Sequence, residues 1–506
     1  MTFENLLDGA ELLSGSGNPS ITCVEYDSRQ VKPGCVFVAI RGETSDGNRF
    51  IDAAIQSGAV AIVTDSSAEQ PREGVAWAVV PHGRRALARI SANFYKRPAE
   101  RIAITGITGT NGKSTTAFVI ESIFAASNRK SALIGTIEYH IAGKTFAAPH
   151  TTPEALELQR IFNQALGQGA TETVMEVSSH ALAQERVFGV PFDVAVFTNL
   201  TRDHLDYHKT MDEYFAAKRV LFEGCGTDAP RVVVTNLDDE YGAKLVEFSR
   251  KRSSEVLTYG WEQGDFHATR VDINPRGTRF DMATPTAKIP IFSSLIGRVN
   301  VYNVVAAAAA CYARGCDAHA IATGVESLKH VPGRFQRVDC GQPFTVVVDY
   351  AHTDDALRNL TSLAREFVSR AGSTGRVITV FGCGGDRDRA KRPLMGEAAG
   401  RGSDFVVLTS DNPRSEDPRA IINDALVGLQ RTGVKYSVEV DRSKAIGMAI
   451  SEARAGDIVL LAGKGHEKVQ VTREGTKPFD DVKVACEALK SNGFEGKIED
   501  AAGSPA

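Results

Sequence analysis

Short runs of β-branched and aromatic residues alternate along the chain with longer Ala- and Leu-rich stretches. The short runs read as strands and the longer ones as helices, so the alternation predicts βαβ units with mostly parallel sheets, an α/β protein. A first segment, to about Pro98, holds expected strands at 36–40 and 59–64 and a helix at 84–95. Pro98 marks a boundary because the residue before a proline is driven out of the helical region. A second segment opens with a strand at 102–105. It continues through strands at 173–177 and 194–198 and a helix at 211–222, and ends after an Ala-rich helix at the turn-rich Val331-Pro332-Gly333. A third segment has strands at 345–349, 377–381, 405–408 and 458–461. The expected units are therefore 1–98, 99–332 and 333–493, with 494–506, small and charged, as a flexible tail. No repeat of solenoid length is visible.

Composition narrows the class. The chain has 506 residues, 42% apolar and 24% charged, with a net charge of −4. That is an ordinary globular profile of about three domains, without the basic footprint of a nucleic-acid binder. The longest apolar run, 304–313, falls short of the ~18 residues a membrane span needs. The first residues carry Glu4, Asp8 and Glu11 and lack the basic start of a signal peptide, which predicts a cytoplasmic protein. The eight cysteines form no CxxC pair and no zinc spacing, so they read as reduced thiols.

The strongest local signal follows the strand at 102–105. It is Gly106-Ile107-Thr108-Gly109-Thr110-Asn111-Gly112-Lys113-Ser114-Thr115-Thr116, with a helical pattern to about residue 126. A glycine-rich turn lets backbone N–H groups approach a polyphosphate, and the helix N-terminus adds its dipole. Lys113 would neutralise the outer phosphates, and Ser114 or Thr115 would reach Mg²⁺. The regular GxxxxGK[ST] spacing requires glycine where Ile107 stands, so this is a variant loop.

The run Gly109 to Ser114 resembles the phosphate loop of the Mur ligases and of the related folylpolyglutamate synthetases, ATP-dependent ligases that form amide bonds. Other runs agree, in order, over nearly the whole chain. Asp27-Ser28-Arg29, Pro33-Gly34 and Gly42 with Asp46-Gly47 resemble the uridine-binding N-terminal domain. Thr151-Thr152-Pro153, the run Glu176 to Leu182, and Asn199-Leu200 with the run Asp203 to His208 resemble the central domain. Gly333-Arg334-Phe335, the run Asp349 to His352, the run Gly382 to Asp388, Asp411-Asn412-Pro413-Arg414 and the run Gly463 to Glu467 resemble the C-terminal domain. The resemblance implies three α/β domains: a small uridine-binding one, a central P-loop ATPase-like one and a C-terminal Rossmann-like one. It is closest to the branch that adds the third residue of the peptidoglycan stem peptide. The DNPR run resembles the meso-diaminopimelate-adding type rather than the lysine-adding type.

The implied reaction activates the D-Glu side-chain carboxylate of UDP-N-acetylmuramoyl-L-Ala-D-Glu as an acyl phosphate, which the amine of the amino acid attacks. Catalysis of phosphoryl transfer is mostly positioning and electrostatics. By resemblance, Lys113, Glu176, His204 and Lys218 are catalytic. ATP would be bound by Gly109, Thr110, Asn111, Gly112, Lys113, Ser114 and Thr115, with Asn303, Arg334 and Asp349 completing the site. Mg²⁺ would be held by Ser114, Glu176, His204 and Lys218, the last as a carbamate. Glu176 and His204 follow expected strands, so both belong at the carboxyl edge of one sheet, and a hard cation favours the carboxylate. Lys218, read from helical spacing, is a snorkelling surface lysine; the carbamate comes from the resemblance alone.

Ser28, Thr151, Thr152, Ser178, Gln184 and Arg186 match the contacts to the UDP-substrate. Arg387, Asp411, Asn412, Arg414, Gly463 and Glu467 match those to diaminopimelate. Arg414 suits a two-bonded grip on its far carboxylate, and Glu467 its far ammonium. Three departures stand out: Asp354 where proline is usual, Asn48 where histidine is common, and Ser114 for threonine. The competing readings are a lysine-adding ligase, another ligase of the superfamily, a P-loop switch or motor, and an inactive nucleotide-binding scaffold. The chain is expected to act as a monomer on small molecules, without nucleic acid or membrane span, in the bacterial cytoplasm.

Overall fold

The computed structural model of the chain describes residues 1–42, 45–141, 143–274, 276–370 and 375–495. Three large sheets follow one another along it, with a small hairpin, Val469–Thr472 and Gly475–Pro478, beside the last. The first sheet has the order Ser14–Ser16, Ala76–Val79, Ala61–Thr64, Cys35–Ala39, Cys23–Glu25 and is parallel except at the Ser14–Ser16 edge. Its middle strands are buried on both faces, so they read as unbroken apolar runs.

The second sheet has eleven strands. In its parallel centre, Ala103–Thr108 lies between Glu172–Glu176 and Val194–Phe197. Helices Lys113–Ala126 and Arg298–Ala313 pack on one face with Ile107, Val174 and Val196, and Phe192, Tyr214, Leu221 and Phe222 fill the other. The apolar run at 304–313 is the interior of the second of these helices; its small alanines let the two helices approach closely. Antiparallel strands extend the sheet at both ends. Among the described residues no helix is long and apolar enough to cross a membrane.

The third sheet has the order Gln336–Val338, Thr345–Asp349, Ile458–Ala462, Val377–Phe381, Phe405–Leu408, Lys435–Val438, parallel except at the Gln336–Val338 edge. Apolar clusters cover both faces. The edge strand Lys435–Val438 was not expected: Tyr436 and Val438 alternate with polar residues, but the strand is short and largely exposed.

Three expectations are corrected. The strand expected at 102–105 runs on as Ala103–Thr108, because a side chain on Gly106 would strike Phe192 while Ile107 pairs with both neighbours. Cys23 and Cys35 form a disulfide rather than two free thiols; parallel pairing sets them opposite each other with Cα atoms 4.4 Å apart, a juxtaposition their spacing does not announce. The other six cysteines are free and buried. The tail expected from 494 begins with an ordered residue, since Phe494 packs edge-on against Phe344; residues 496–506 lie outside the described residues.

Candidate active site

The carboxyl ends of the central strands face the third sheet across a cavity of about 640 Å³. The phosphate loop forms its floor. Gly109 has φ of 147° and Gly112 of 87°. A Cβ on Gly109 would collide with Thr198 Oγ1, and one on Gly112 with Asn303 Oδ1. The loop therefore needs glycine for both conformation and space. The 198–201 segment braces it: Asn111 N donates to Asn199 Oδ1 at 2.9 Å, and Thr198 Oγ1 donates to Asn111 O at 2.7 Å. Lys113 Nζ folds back onto the carbonyls of Gly109 and Thr110, each at 2.9 Å. Burial lowers its pKa against the pull of Glu176.

Ser114, Glu176 and His204 line the same cavity. Glu176 ends its strand buried, and Thr136 holds both its oxygens, through N–H at 2.8 Å and Oγ1 at 3.0 Å. His204 is held in a left-handed conformation, φ 54°, with its N–H donated to Asp203 Oδ1 at 2.9 Å and its ring edge-on to His180. Burial pushes its imidazole down to about 3, against Asp203 and with help from His180 and two lysines. A neutral ring keeps a lone pair for a metal.

Lys218 overturns the surface-lysine reading. It is 2% exposed, lies 4.5 Å over the Tyr214 ring, and donates to Gly109 O at 2.8 Å. Burial first, and the Lys113 charge second, lower its pKa well below the lysine range. Among the described residues no three His, Cys, Asp or Glu side chains form a metal cluster of their own.

The third sheet closes the cavity from above. Arg334 stacks on Tyr350 and donates to Ser114 Oγ at 3.2 Å, bridging the two units. Asp349 accepts from Phe335 N at 2.7 Å and Ala351 N at 2.8 Å, which fixes the turn that presents Arg334. Burial raises its pKa against Arg334. Asn303 is held by Asn300 beside Gly112. Sequence reasoning missed the apolar end of the cavity, formed by Ile296, Phe335, Ala356, Leu360 and Leu363. It also missed Asp355, which accepts from Asn111 Nδ2 at 3.2 Å. The signal for Asp355, Ala356, Leu360 and Leu363 was amphipathic spacing on the helix Asp354–Arg370, and Phe335 stood in the Gly333-Arg334-Phe335 run.

Thr151 and Ser178 line the cavity. Thr152 Oγ1 donates to Glu176 O and accepts from Ser178 N, which ties the loop before the helix Ala155–Gly167 to the end of the strand Glu172–Glu176. Gln184 Oε1 accepts from Arg186 Nε and Nη2 at 3.1 and 2.8 Å. Ser28 sits apart from the cavity, in a short turn capped by Asp27 in the first unit. Asn48 is buried and bonded to Asp46, Thr64 and Asp65, so it braces that unit internally. Asp354 opens its helix and accepts from Arg358.

The residues matched to diaminopimelate converge in the third unit, outside the lining of the large cavity. Asn412 Nδ2 donates to Glu467 Oε2 at 2.7 Å, and Lys464 Nζ joins both. Arg414, held in a left-handed conformation, donates to Gly385 O at 2.7 Å. Burial and the nearby Arg387 charge lower its pKa, against the pull of Asp411, Glu467 and Asp386. Asp411 Oδ1 is buried with no hydrogen bond among the described residues and reaches only the Lys464 ammonium, at 3.6 Å. A Cβ on Gly463 would press on Asp411 Oδ2.

The chain matches the model of the Mur ligase family catalytic domain over 20–95, of the Mur ligase middle domain over 107–311, and of the Mur ligase glutamate ligase domain over 333–465. It is 54% identical to a UDP-N-acetylmuramoyl-L-alanyl-D-glutamate–2,6-diaminopimelate ligase from Solibacter usitatus, over 94% of each chain. The chain belongs to the Mur ligase family. A relative of the same description from Geobacillus thermodenitrificans is 46% identical over 94% of this Mur ligase and 96% of its own length. A solved structure of a ligase with that description superposes with a TM-score of 0.66 at 34% identity, covering 94% of this Mur ligase and 95% of the other chain.

Proposed function

We propose that this Mur ligase joins meso-2,6-diaminopimelate to UDP-N-acetylmuramoyl-L-alanyl-D-glutamate at the expense of ATP, in cytoplasmic peptidoglycan precursor synthesis. The observation that carries the reading is the convergence of the phosphate loop, Glu176, His204 and Arg334 on one cavity, in a chain with full-length relatives of that activity. We read residues 1–98 as the UDP-substrate unit, 99–332 as the ATP unit and 333–493 as the amino-acid unit, acting as a monomer.

The D-Glu side-chain carboxylate attacks the γ-phosphorus of ATP, and ADP leaves. The amine of diaminopimelate then attacks the acyl carbon, phosphate leaves, and the amine gives up a proton. Lys113 and the loop amides hold the outer phosphates, and the apolar end of the cavity receives the base beside Asn303. Arg334 brings positive charge from the third unit to the transferring group, a contribution that depends on closure. Ser114, Glu176 and His204 would hold Mg²⁺, which spreads the charge developing on the phosphoryl oxygens. Lys218 would join them as a carbamate. Its amine is buried, and burial lowers its pKa, which favours the neutral form that reacts with carbon dioxide.

Arg414, Asn412 and Glu467 would grip the far end of diaminopimelate. L-lysine lacks the far carboxylate and would leave Arg414 unpaired, which disfavours it strongly. The test is phosphate release from ATP with the UDP-substrate and either amino acid. Release with diaminopimelate and little with lysine is expected. Release with lysine alone overturns the specificity, and release with neither overturns the reaction.

A further inference from the structure

Glu154 stands at the N-cap position of the helix Ala155–Gly167, yet its side chain makes no cap bond there. The short N-cap side chains Ser, Thr, Asp and Asn accept the free N–H groups of the first turn, and the longer Glu154 does not. This one turns instead to two arginines from different units. Its Oε1 lies 3.0 Å from Arg186 Nε, and its Oε2 lies 3.1 Å from Arg84 Nη1. The three side chains are 13%, 17% and 20% exposed, so this bridge is shielded from the solvent screening that weakens surface pairs.

Arg186 is held on every inner side. Nε faces Glu154 and Gln184 Oε1, Nη2 donates to Gln184 Oε1, and Nη1 donates to Thr152 O. A guanidinium has about five N–H groups. These bonds leave one on each terminal nitrogen, the pair that grips a carboxylate or phosphate with two parallel bonds. The frame around Arg186 thus presents its outer edge to a ligand.

Arg84 carries the connection into the first unit. It lies on the helix Gly83–Phe94 and also donates to Gln184 O at 3.2 Å. Leu156, two residues after Glu154, is part of the apolar core of that unit with Leu87 and Ile90. Tyr26 donates to Glu157 at 3.3 Å, one residue before the Asp27-Ser28 turn. The start of this central-unit helix is therefore packed into the first unit, and any change in the docking of that unit moves Glu154.

We propose that Glu154 is a positioning residue: it aims Arg186 at the anionic UDP-substrate and, through Arg84, makes that aim depend on the seating of the N-terminal unit. The proposal rests on the reading of Arg186 as a substrate-gripping residue. It is tested by steady-state kinetics of the full chain with the UDP-substrate varied, for Glu154→Gln, Glu154→Asp, Arg84→Met and Arg186→Lys, each with its thermal midpoint. Glu154→Gln is expected to raise the KM for the UDP-substrate about tenfold, with kcat and the KM for ATP within about twofold. Glu154→Asp recovers part of the loss. Arg84→Met produces a smaller rise in the same constant, and the double variant Arg84→Met/Glu154→Gln is no worse than Glu154→Gln. If Arg186→Lys leaves that KM unchanged, the reading of Arg186 falls. If Arg186→Lys raises it and Glu154→Gln does not, the positioning role alone falls. Equal losses in every kinetic constant, with a lowered thermal midpoint, would make Glu154 a structural residue and also overturn the proposal. Should Glu154→Gln fail to fold, an unchanged KM in Arg84→Met overturns the link to the N-terminal unit, and a raised one supports it.

Discussion

At the scale of single residues the site is a set of positions where one atom decides. Gly109 is the sharpest: any side chain there meets Thr198 and adopts a backbone conformation essentially reserved for glycine. Gly109→Ala is expected to reduce ATP-dependent phosphate release by more than about 100-fold, the scale of losing a positioned loop, while circular dichroism shows the fold retained. Arg414 is half-buried beside a second cation, Arg387, and within the field of Asp411 and Glu467. Arg414→Ala is expected to lower kcat/KM for diaminopimelate roughly ten- to hundredfold, the cost of about 1.5–3 kcal/mol for a charge-assisted bond, and to leave the slow rate with lysine nearly unchanged. Parallel assays with both amino acids read this directly. The residue types at these positions were legible in the sequence because each belongs to a contiguous run. Thr152 shows what the motif did not announce: its hydroxyl ties a loop to the end of the strand Glu172–Glu176.

At the scale of elements, stability comes from close helix approach and a few buried charges. Ala308 is fully buried where the helix Arg298–Ala313 packs on the sheet and on Lys113–Ala126. Ala308→Leu is expected to cost about 1–3 kcal/mol by overpacking, measured as a lowered thermal midpoint. His140, on the strand Glu138–Ile141, lies between Glu121 at 2.7 Å and Glu138 at 2.9 Å. Burial alone would lower its pKa; the two carboxylates outweigh burial and raise it from 6.5 to about 10. The folded form therefore holds this proton more tightly than the unfolded chain does. The resulting stability is full below about pH 6.5 and is lost as pH rises through about 10. Between those limits the thermal midpoint of His140→Gln is expected to fall less with pH than that of the parent, in parallel melts corrected for other groups. The helices at 84–95 and 211–222 and the buried strands at 173–177, 194–198, 345–349, 377–381 and 458–461 were legible because their apolar runs are long or periodic; the helices Ala155–Gly167 and Pro418–Gln430 and the antiparallel strands Phe266–Asn274, Gly277–Ala283 and Lys288–Ser293 were not expected. The strand Lys435–Val438 was not expected either: Tyr436 and Val438 alternate with polar residues, but four residues on an exposed edge are too short to stand out as a period.

At the scale of the whole molecule, the second and third units meet along a charged seam. Asp203, nearly buried, lies 3.5 Å from His204, 3.9 Å from His352 and 3.7 Å from Lys391. Burial would raise its pKa; these three groups outweigh it and hold the carboxyl below its ordinary value. Arg202 faces Asp388 at 3.7 Å, and Arg334 reaches Ser114 across the same gap. Lys391→Met removes one side of this seam without touching the phosphate loop. It is expected to weaken closure by about 1 kcal/mol, the scale of one partly exposed pair, seen as a severalfold lower kcat and a larger radius of gyration by small-angle scattering with nucleotide bound. An unchanged radius and rate would show that the seam does not hold the units together.

The sequence by itself determined what depends on neighbours along the chain: the α/β alternation, the glycines of the phosphate loop, and the ordered runs that carry the family resemblance. Backbone conformation and hydrophobic period are local, so they leave a spacing that can be read. Only the tertiary structure decided what depends on distance through space. It buried Lys218 beneath Gly109, set Cys23 opposite Cys35, placed Asp203 beside Lys391 of another unit, and turned Glu154 from its own helix toward Arg84 and Arg186. Such pairs form when separate elements pack, and packing leaves no period in the order of residues.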